Sequence, residues 1–316
     1  MLRWRLISAG VIIAGVLALV WVDFRSGVPG AWLLPLYLVV VLLASEEVLS
    51  LLAAKGHRPL AWVVYLGNGA ITLAAGLPIL GELVAREVAG SSSLALRDSA
   101  EPLLALRTSV EPLGWSAVVL AVFAVLAFVG EMRRFEQPGK AIVNVALAIF
   151  AMVYVGVLGS FLLLLRLHDG NAWGMMALVS TLLITKMADT GAFAVGKSVG
   201  RTKMAPVLSP GKTWEGTIGG IVVAVATSWV FFRFGGPWIV GSGYVQPAVW
   251  AVVVYGVLLA VAGLTGDLAE SLLKRDMERK DSSTWLPGLG GVLDVIDAVL
   301  VSAPVAWICW VSGLLG

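Results

Sequence analysis

The sequence predicts an all-α, polytopic transmembrane helical bundle of about nine spans, and three observations predict it. Of 316 residues, 59% are hydrophobic and only 13% are charged, whereas a soluble domain carries about 25% charged residues. The apolar residues fall in long blocks, and about 20 consecutive apolar residues cross the hydrocarbon of a bilayer as a helix. Lys and Arg gather in alternate connecting loops, the pattern of a chain threaded back and forth through a membrane.

The expected spans lie at 6–22, 31–52, 61–85, 114–130, 141–165, 173–196, 214–234, 248–268 and 292–315. Arg3 and Arg5 precede the first, as in a secretory signal. The following Asp23-Phe24-Arg25-Ser26 lacks a small-x-small cleavage site, so 6–22 reads as a retained span. Many of the 13 Trp residues stand near span ends, among them Trp32, Trp115, Trp173, Trp214 and Trp310, which suits an interfacial aromatic belt. The one cysteine, Cys309, lies inside an apolar run and excludes an intramolecular disulfide.

Fifteen Lys and Arg fall at the N-terminus and after even-numbered spans, against five in the opposite set of loops. That bias places the N-terminus in the cytoplasm and the C-terminus outside, and the protein is expected in the cell's inner membrane with its active site facing the cytoplasm. The outer loop at 86–113 contains Ser91-Ser92-Ser93 and two similar pieces, Ala100-Glu101-Pro102-Leu103 and Val110-Glu111-Pro112-Leu113. It reads as a solvated loop or short surface helices. Residues 1–140 are expected to form an N-terminal transmembrane region and 141–316 a C-terminal catalytic one.

Charges inside spans are expensive and mark functional candidates. Four polar groups stand out, all at the expected cytoplasmic side. Lys186 and Asp189 are three apart on one helix face, as either an internal ion pair or a binding element. Ser209-Pro210-Gly211-Lys212-Thr213-Trp214-Glu215 suggests a P-loop, but Pro206 stands where that motif needs Gly and no strand is expected before it. Its hydroxyls, its Lys and free amides at a helix start still suit phosphate, with Pro210 and Gly211 holding a turn. The alternative is an ordinary helix cap. Asp267 and Glu270 share a face at the end of span 8, as binding groups or as a helix emerging into water.

The fourth group runs from Lys274-Arg275 through Lys280-Asp281 to Gly290-Gly291, Asp294 and Asp297. Asp294 and Asp297, three apart and facing one way, repel unless a cation joins them. Hard oxygen ligands favour Mg²⁺. The Gly290-Gly291 pair lets backbone approach a ligand closely. Carboxylates for metal and cations for phosphate, set at a membrane surface, are the equipment of phosphoryl or nucleotidyl transfer. They do not choose the nucleotide.

The last group resembles the phosphatidate cytidylyltransferase (CDP-diacylglycerol synthase) family. Its pattern, S-x-apolar-K-R-x4-K-D followed by L-P-x-H-G-G-x-x-D-R-x-D, stands here as Ser271-Leu272-Leu273-Lys274-Arg275, Lys280-Asp281-Ser282-Ser283, Leu286-Pro287-Gly288-Leu289-Gly290-Gly291 and Asp294-Val295-Ile296-Asp297. Asp189-Thr190-Gly191-Ala192-Phe193, Ser209-Pro210-Gly211-Lys212-Thr213-Trp214-Glu215-Gly216 and Gly266-Asp267-Leu268 are similar to it too. Leu289 stands in place of the family's His, and Val295 in place of its Arg.

The resemblance implies transfer from CTP to phosphatidate, giving CDP-diacylglycerol and pyrophosphate. It makes Asp267, Asp294 and Asp297 the carboxylates for one or two Mg²⁺ ions, with Lys274 as the fourth catalytic group. Substrate contacts are implied at Ser209, Pro210, Lys212, Thr213, Asp189, Arg275, Lys280, Asp281, Gly290 and Gly291. Expected partners are CTP, phosphatidate and membrane lipid, with no nucleic acid; a homodimer is a guess from general frequency. The rivals are a related CTP-dependent lipid-phosphate transferase, a lipid kinase, an ion-coupled transporter and a catalytically silent scaffold.

Overall fold

The computed structural model describes residues 2–90, 112–136, 138–286, 288 and 290–315, without the side chains of 2–9, 89 and 112. The Ser91–Ser93 run, most of the two Glu-Pro-Leu pieces, Pro287 and Leu289 lie outside the described residues. The chain packs as two units, Met1–Leu164 and Leu165–Gly316. Among the described residues, seven helices are long and apolar enough to cross a membrane, or eight with one bent pair taken as a single span. The protein is an all-α integral membrane protein.

The first unit contains α1 (Leu2–Arg25), α2 (Leu33–Ala54), α3 (Ala61–Ala75), α4 (Leu77–Gly90), α5 (Pro112–Arg133) and α6 (Ala141–Ala151). A π turn at Met152–Val157 joins α6 to α7 (Leu158–Leu167), and the division between the units falls inside α7. The stretch expected as one straight span at 61–85 is bent by 61° between α3 and α4. Pro78, one residue into α4, has no N–H to continue the α3 ladder.

The second unit begins with the end of α7 and continues with α8 (Gly170–Val199), β1 (Lys203–Ala205), β2 (Ser209–Thr213) and α9 (Trp214–Val230). A π turn (Phe231–Gly235) and short α10 (Gly236–Val240) precede α11 (Val249–Asp276) and α12 (Val292–Val311). Helix α9 packs along α8 and α11, and α12 packs along α11 and α8.

Lipid is as apolar as leucine, so close backbone approach and polar contacts hold such helices together. A Cβ at Gly220 would stand 2.9 Å from the Ala188 carbonyl oxygen, and one at Gly256 would stand 2.8 Å from Val225 Cα. The buried Tyr255 hydroxyl on α11 ties three helices, lying 3.1 Å from Ser180 Oγ and 3.0 Å from Thr181 Oγ1 on α8 while accepting from Trp310 Nε1 on α12 at 3.3 Å.

Gly266 sets the α11–α12 approach beside the polar end of the unit. A Cβ there would meet the Asp297 carbonyl oxygen and lie 3.0 Å from Ala298 Cα. Both obstacles are backbone, so neither can turn aside. Gly266→Val is expected to cost about 1–3 kcal/mol, the usual penalty of forced overpacking, read as a lower unfolding midpoint in detergent. A midpoint equal to wild type would show that the two helices are not locked there.

Candidate active site

The polar groups of the second unit converge because its helices alternate in direction. The C-terminal part of α8, the β1–β2 hairpin, the start of α9, the C-terminal part of α11 and the start of α12 share one end of the unit. Two of these segments differ from their sequence-based expectation. Ser209–Thr213 is a strand paired antiparallel with β1, Lys203 opposite Thr213 and Ala205 opposite Ser209. The hairpin turns at Pro206–Leu208, not at Pro210-Gly211. A short strand therefore does precede the motif, yet a P-loop is still excluded because the motif is itself strand.

Helix α11 also runs on past 268 to Asp276. Lys274 and Arg275 thus occupy a helix's last turn, where cations complement the dipole, rather than a loop.

The hairpin is tied down at both ends. Thr213 caps α9, its Oγ1 accepting from Gly216 N at 3.1 Å. Glu215 accepts from the backbone N–H groups of Arg201 and Thr202 at 3.1 Å each. At the tip, Arg275 Nε donates to the Leu208 carbonyl at 3.2 Å. Arg275 thereby links α11 to the hairpin turn.

Under the hairpin lies a cleft of about 540 Å³ between α8, α9 and α11. Its polar lining includes Asp189, Ser209, Gly211, Lys212, Thr213 and Asp267, and its apolar lining includes Phe193, Ile221, Val261 and Leu264. Lys212 Nζ lies 2.7 Å from Asp267 Oδ2, joining hairpin to α11. Lys186 Nζ lies 3.6 Å from Asp189 Oδ2 on α8. Pro210, on the same strand, is exposed and does not line the cleft.

Asp294 and Asp297 part company. A separation of three residues turns two side chains about 60° apart on a helix of 3.6 residues per turn, and here that angle directs them to different neighbours. Asp297 is 6% exposed, and the charges that bear on it include those of Lys186, Asp267 and Asp189. Its Oδ1 accepts from Ala298 N at 2.6 Å. Asp294 instead organises the loop between α11 and α12. Its Oδ1 meets Lys274 Nζ at 2.6 Å, and its Oδ2 accepts from Ser282 Oγ at 2.7 Å, Ser282 N at 3.1 Å and Gly291 N at 2.7 Å.

Lys274 Nζ is shared with Glu270 Oε2, also at 2.6 Å, and the Glu270 side chain is 1% exposed. Gly290, at φ +93°, serves this hub: a Cβ there would stand 2.5 Å from Asp294 Oδ2. The close approach expected at the Gly290-Gly291 pair is thus made to Asp294. Lys280 and Asp281 are exposed on the same loop. Val295 is half-buried on α12.

The sequence profile of the cytidylyltransferase family matches residues 3–312. The chain belongs to that family. It is similar to phosphatidate cytidylyltransferases of Haemophilus influenzae, at 37% identity over 42% of this chain and 44% of the relative; of Mycobacterium bovis, at 33% over 54% and 52%; and of Brucella suis, at 36% over 50% and 54%. The chain spans about half the length of the curated relatives it matches.

In this family member, two features of the site lay outside the sequence-based assignment. Glu270, read from the sequence as sharing a face with Asp267, instead completes the Lys274–Asp294 hub, and its i,i+4 spacing to Lys274 on a continuing helix was the available signal for that pairing. Lys197, Lys203 and Ile221 line the cleft, and nothing in their local sequence sets them apart.

Among the described residues, no three His, Cys, Asp or Glu side chains stand close enough to form a ready metal cage. The donor set nevertheless fits a hard cation. Asp189, Asp267 and Asp297 offer oxygen only and lie within electrostatic reach of one another. Mg²⁺ is commonly held by one or two carboxylates together with waters and substrate phosphates.

Proposed function

We propose that this protein transfers the cytidylyl group of CTP to phosphatidate. An oxygen of the phosphatidate phosphate attacks the α-phosphorus of CTP. The bond from that phosphorus to the β-phosphate oxygen breaks, and pyrophosphate leaves as CDP-diacylglycerol forms. The observation that carries the reading is the cleft under the hairpin, where hydroxyl and ammonium side chains suited to phosphate stand beside an apolar wall. Family membership and the named relatives support the same chemistry.

Within that cleft Ser209, Thr213 and Lys212 hold phosphate oxygens, and Lys212 is kept in place by Asp267. Phosphatidate is already an oxyanion, so no strong general base is required. Asp267 and Asp297, with Asp189 in electrostatic reach, are the carboxylates that would hold Mg²⁺, while Asp294 is engaged by Lys274, Ser282 and Gly291 at the neighbouring hub. When bound, the ion would neutralise charge developing on the transferring phosphate. Lys274 steadies Asp294, Arg275 fixes the hairpin tip, and the loop carrying Lys280, Asp281, Gly290 and Gly291 frames the same end. The site faces the cytoplasm of the cell's inner membrane, as the Lys and Arg distribution supports.

Purified protein in detergent, given phosphatidate, Mg²⁺ and labelled CTP, is expected to form labelled CDP-lipid and pyrophosphate. Absence of CDP-lipid, with a working positive control, overturns the proposal. Label on another lipid phosphate would instead indicate a related CTP-dependent transferase.

A further inference from the structure

The cleft holds more positive charge than its ion pairs neutralise. Five charged side chains line it: Asp189, Asp267, Lys197, Lys203 and Lys212. Lys212 is paired with Asp267 at 2.7 Å, and Asp189 is paired with Lys186 at 3.6 Å. Among the described residues, neither Lys197 nor Lys203 has a carboxylate partner. Lys203 stands opposite Thr213 across the hairpin, and cross-strand partners present their side chains on one face of a sheet. Lys197 comes from the last turn of α8, with Nζ 5.7 Å from the centre of the Phe193 ring.

The surroundings of these two lysines are apolar and open. Phe193 is 70% exposed, Val207 at the hairpin turn 82%, and Trp214 at the start of α9 53%. Exposed aromatic and aliphatic side chains interleaved with lysines mark a surface at headgroup depth, where long cationic chains reach to the polar layer while their stems lie along apolar neighbours. Ile218 and Val261, exposed at 61% and 46%, continue the apolar surface along α9 and α11.

We propose that Lys197 and Lys203 form the rim that captures the anionic headgroup of the lipid substrate, a phosphate monoester, and admits it to the cleft beside Lys212. The inference rests on the proposed cytidylyl transfer and adds to it a division of labour. The unpaired rim lysines select the lipid phosphate, while Ser209, Lys212 and Thr213 deeper under the hairpin serve the nucleotide.

The test compares wild type, Lys197→Ala, Lys203→Ala, the double variant and the double Lys→Arg variant in mixed micelles. A lysine near an anionic lipid surface has a typical effect of about fivefold, so the KM for phosphatidate, as surface mole fraction, should rise about fivefold in each single variant and about thirtyfold in the double. The KM for CTP should not follow, and the arginine variant should recover most of the loss.

A binding arm needs no turnover. Phosphatidate, but not phosphatidylcholine, should raise the melting temperature of the wild type, and the Lys197→Ala/Lys203→Ala variant should lose that shift. Unchanged phosphatidate dependence in both arms overturns the inference, as does a rise in the KM for CTP alone. A lipid-specific shift without CDP-lipid formation leaves the rim intact and refutes the reaction instead.

Discussion

Asp297→Asn should lower turnover by at least about 10²–10³-fold, the scale for losing a preorganised electrostatic group, without loss of stability. Asparagine has nearly the shape of aspartate and keeps the oxygen that accepts from Ala298 N at 2.6 Å. What it removes is one negative charge from a neighbourhood that already holds Asp189 and Asp267. Like charges gathered in a poorly solvated place oppose folding, so the variant should unfold at the same denaturant concentration as wild type or a higher one. Sites retained for chemistry characteristically show this opposition between activity and stability. The rate of CDP-lipid formation and the unfolding midpoint, measured on the same preparation, provide the check. Wild-type turnover would remove Asp297 from the catalytic assignment. A parallel fall of midpoint and activity would make its role structural.

The apolar, membrane-length helices were legible as a class, though not as a count, because hydrocarbon thickness imposes a length and composition that a sequence displays directly. Their interruptions were less so. Gly76 and Pro78 marked the α3–α4 bend, but the largely apolar character of 61–85 outweighed them. The end of α11 was hidden for the opposite reason. Hydropathy falls after Leu268 while the helix continues, since Glu270 and Lys274 neutralise each other one turn apart. The hairpin escaped notice because Pro210-Gly211 has the composition of a turn, whereas the actual turn at Pro206–Leu208 draws on Arg275, 67 residues further along.

The motifs fall together at one end of the unit, but their spacing did not give the pairings within it. Lys212 with Asp267 and Asp294 with Ser282 are tertiary contacts. The different surroundings of Asp294 and Asp297 depend on where the α11–α12 loop returns, and local spacing carries no information about that.

Lys274→Ala should be the most destabilising single change at this end of the molecule. Its ammonium lies 2.6 Å from both Glu270 and Asp294, whose side chains are 1% and 11% exposed. Removing the cation leaves two poorly solvated carboxylates facing each other, and breaking a buried pair in this way typically costs about 3–5 kcal/mol. Asp294 also fixes the loop through Ser282 and Gly291, so the order of the α11–α12 connection should be lost with it. Proteolysis in that loop and the unfolding midpoint in detergent would report the change.

Stability and catalysis can then be separated with a second variant. Glu270→Gln/Lys274→Met removes the buried anion together with the cation and fills the space with side chains of similar length. Replacing a buried ion pair by neutral groups is often neutral or stabilising, so this double variant should recover at least half of the lost stability. If Lys274 acts only by holding Asp294, turnover should return in step with the midpoint. If its charge also meets substrate phosphate, the protein should regain its fold and stay inactive. We expect the second result, because Asp294 keeps its bonds to Ser282 and Gly291 in the double variant while the Lys274 charge beside it is gone.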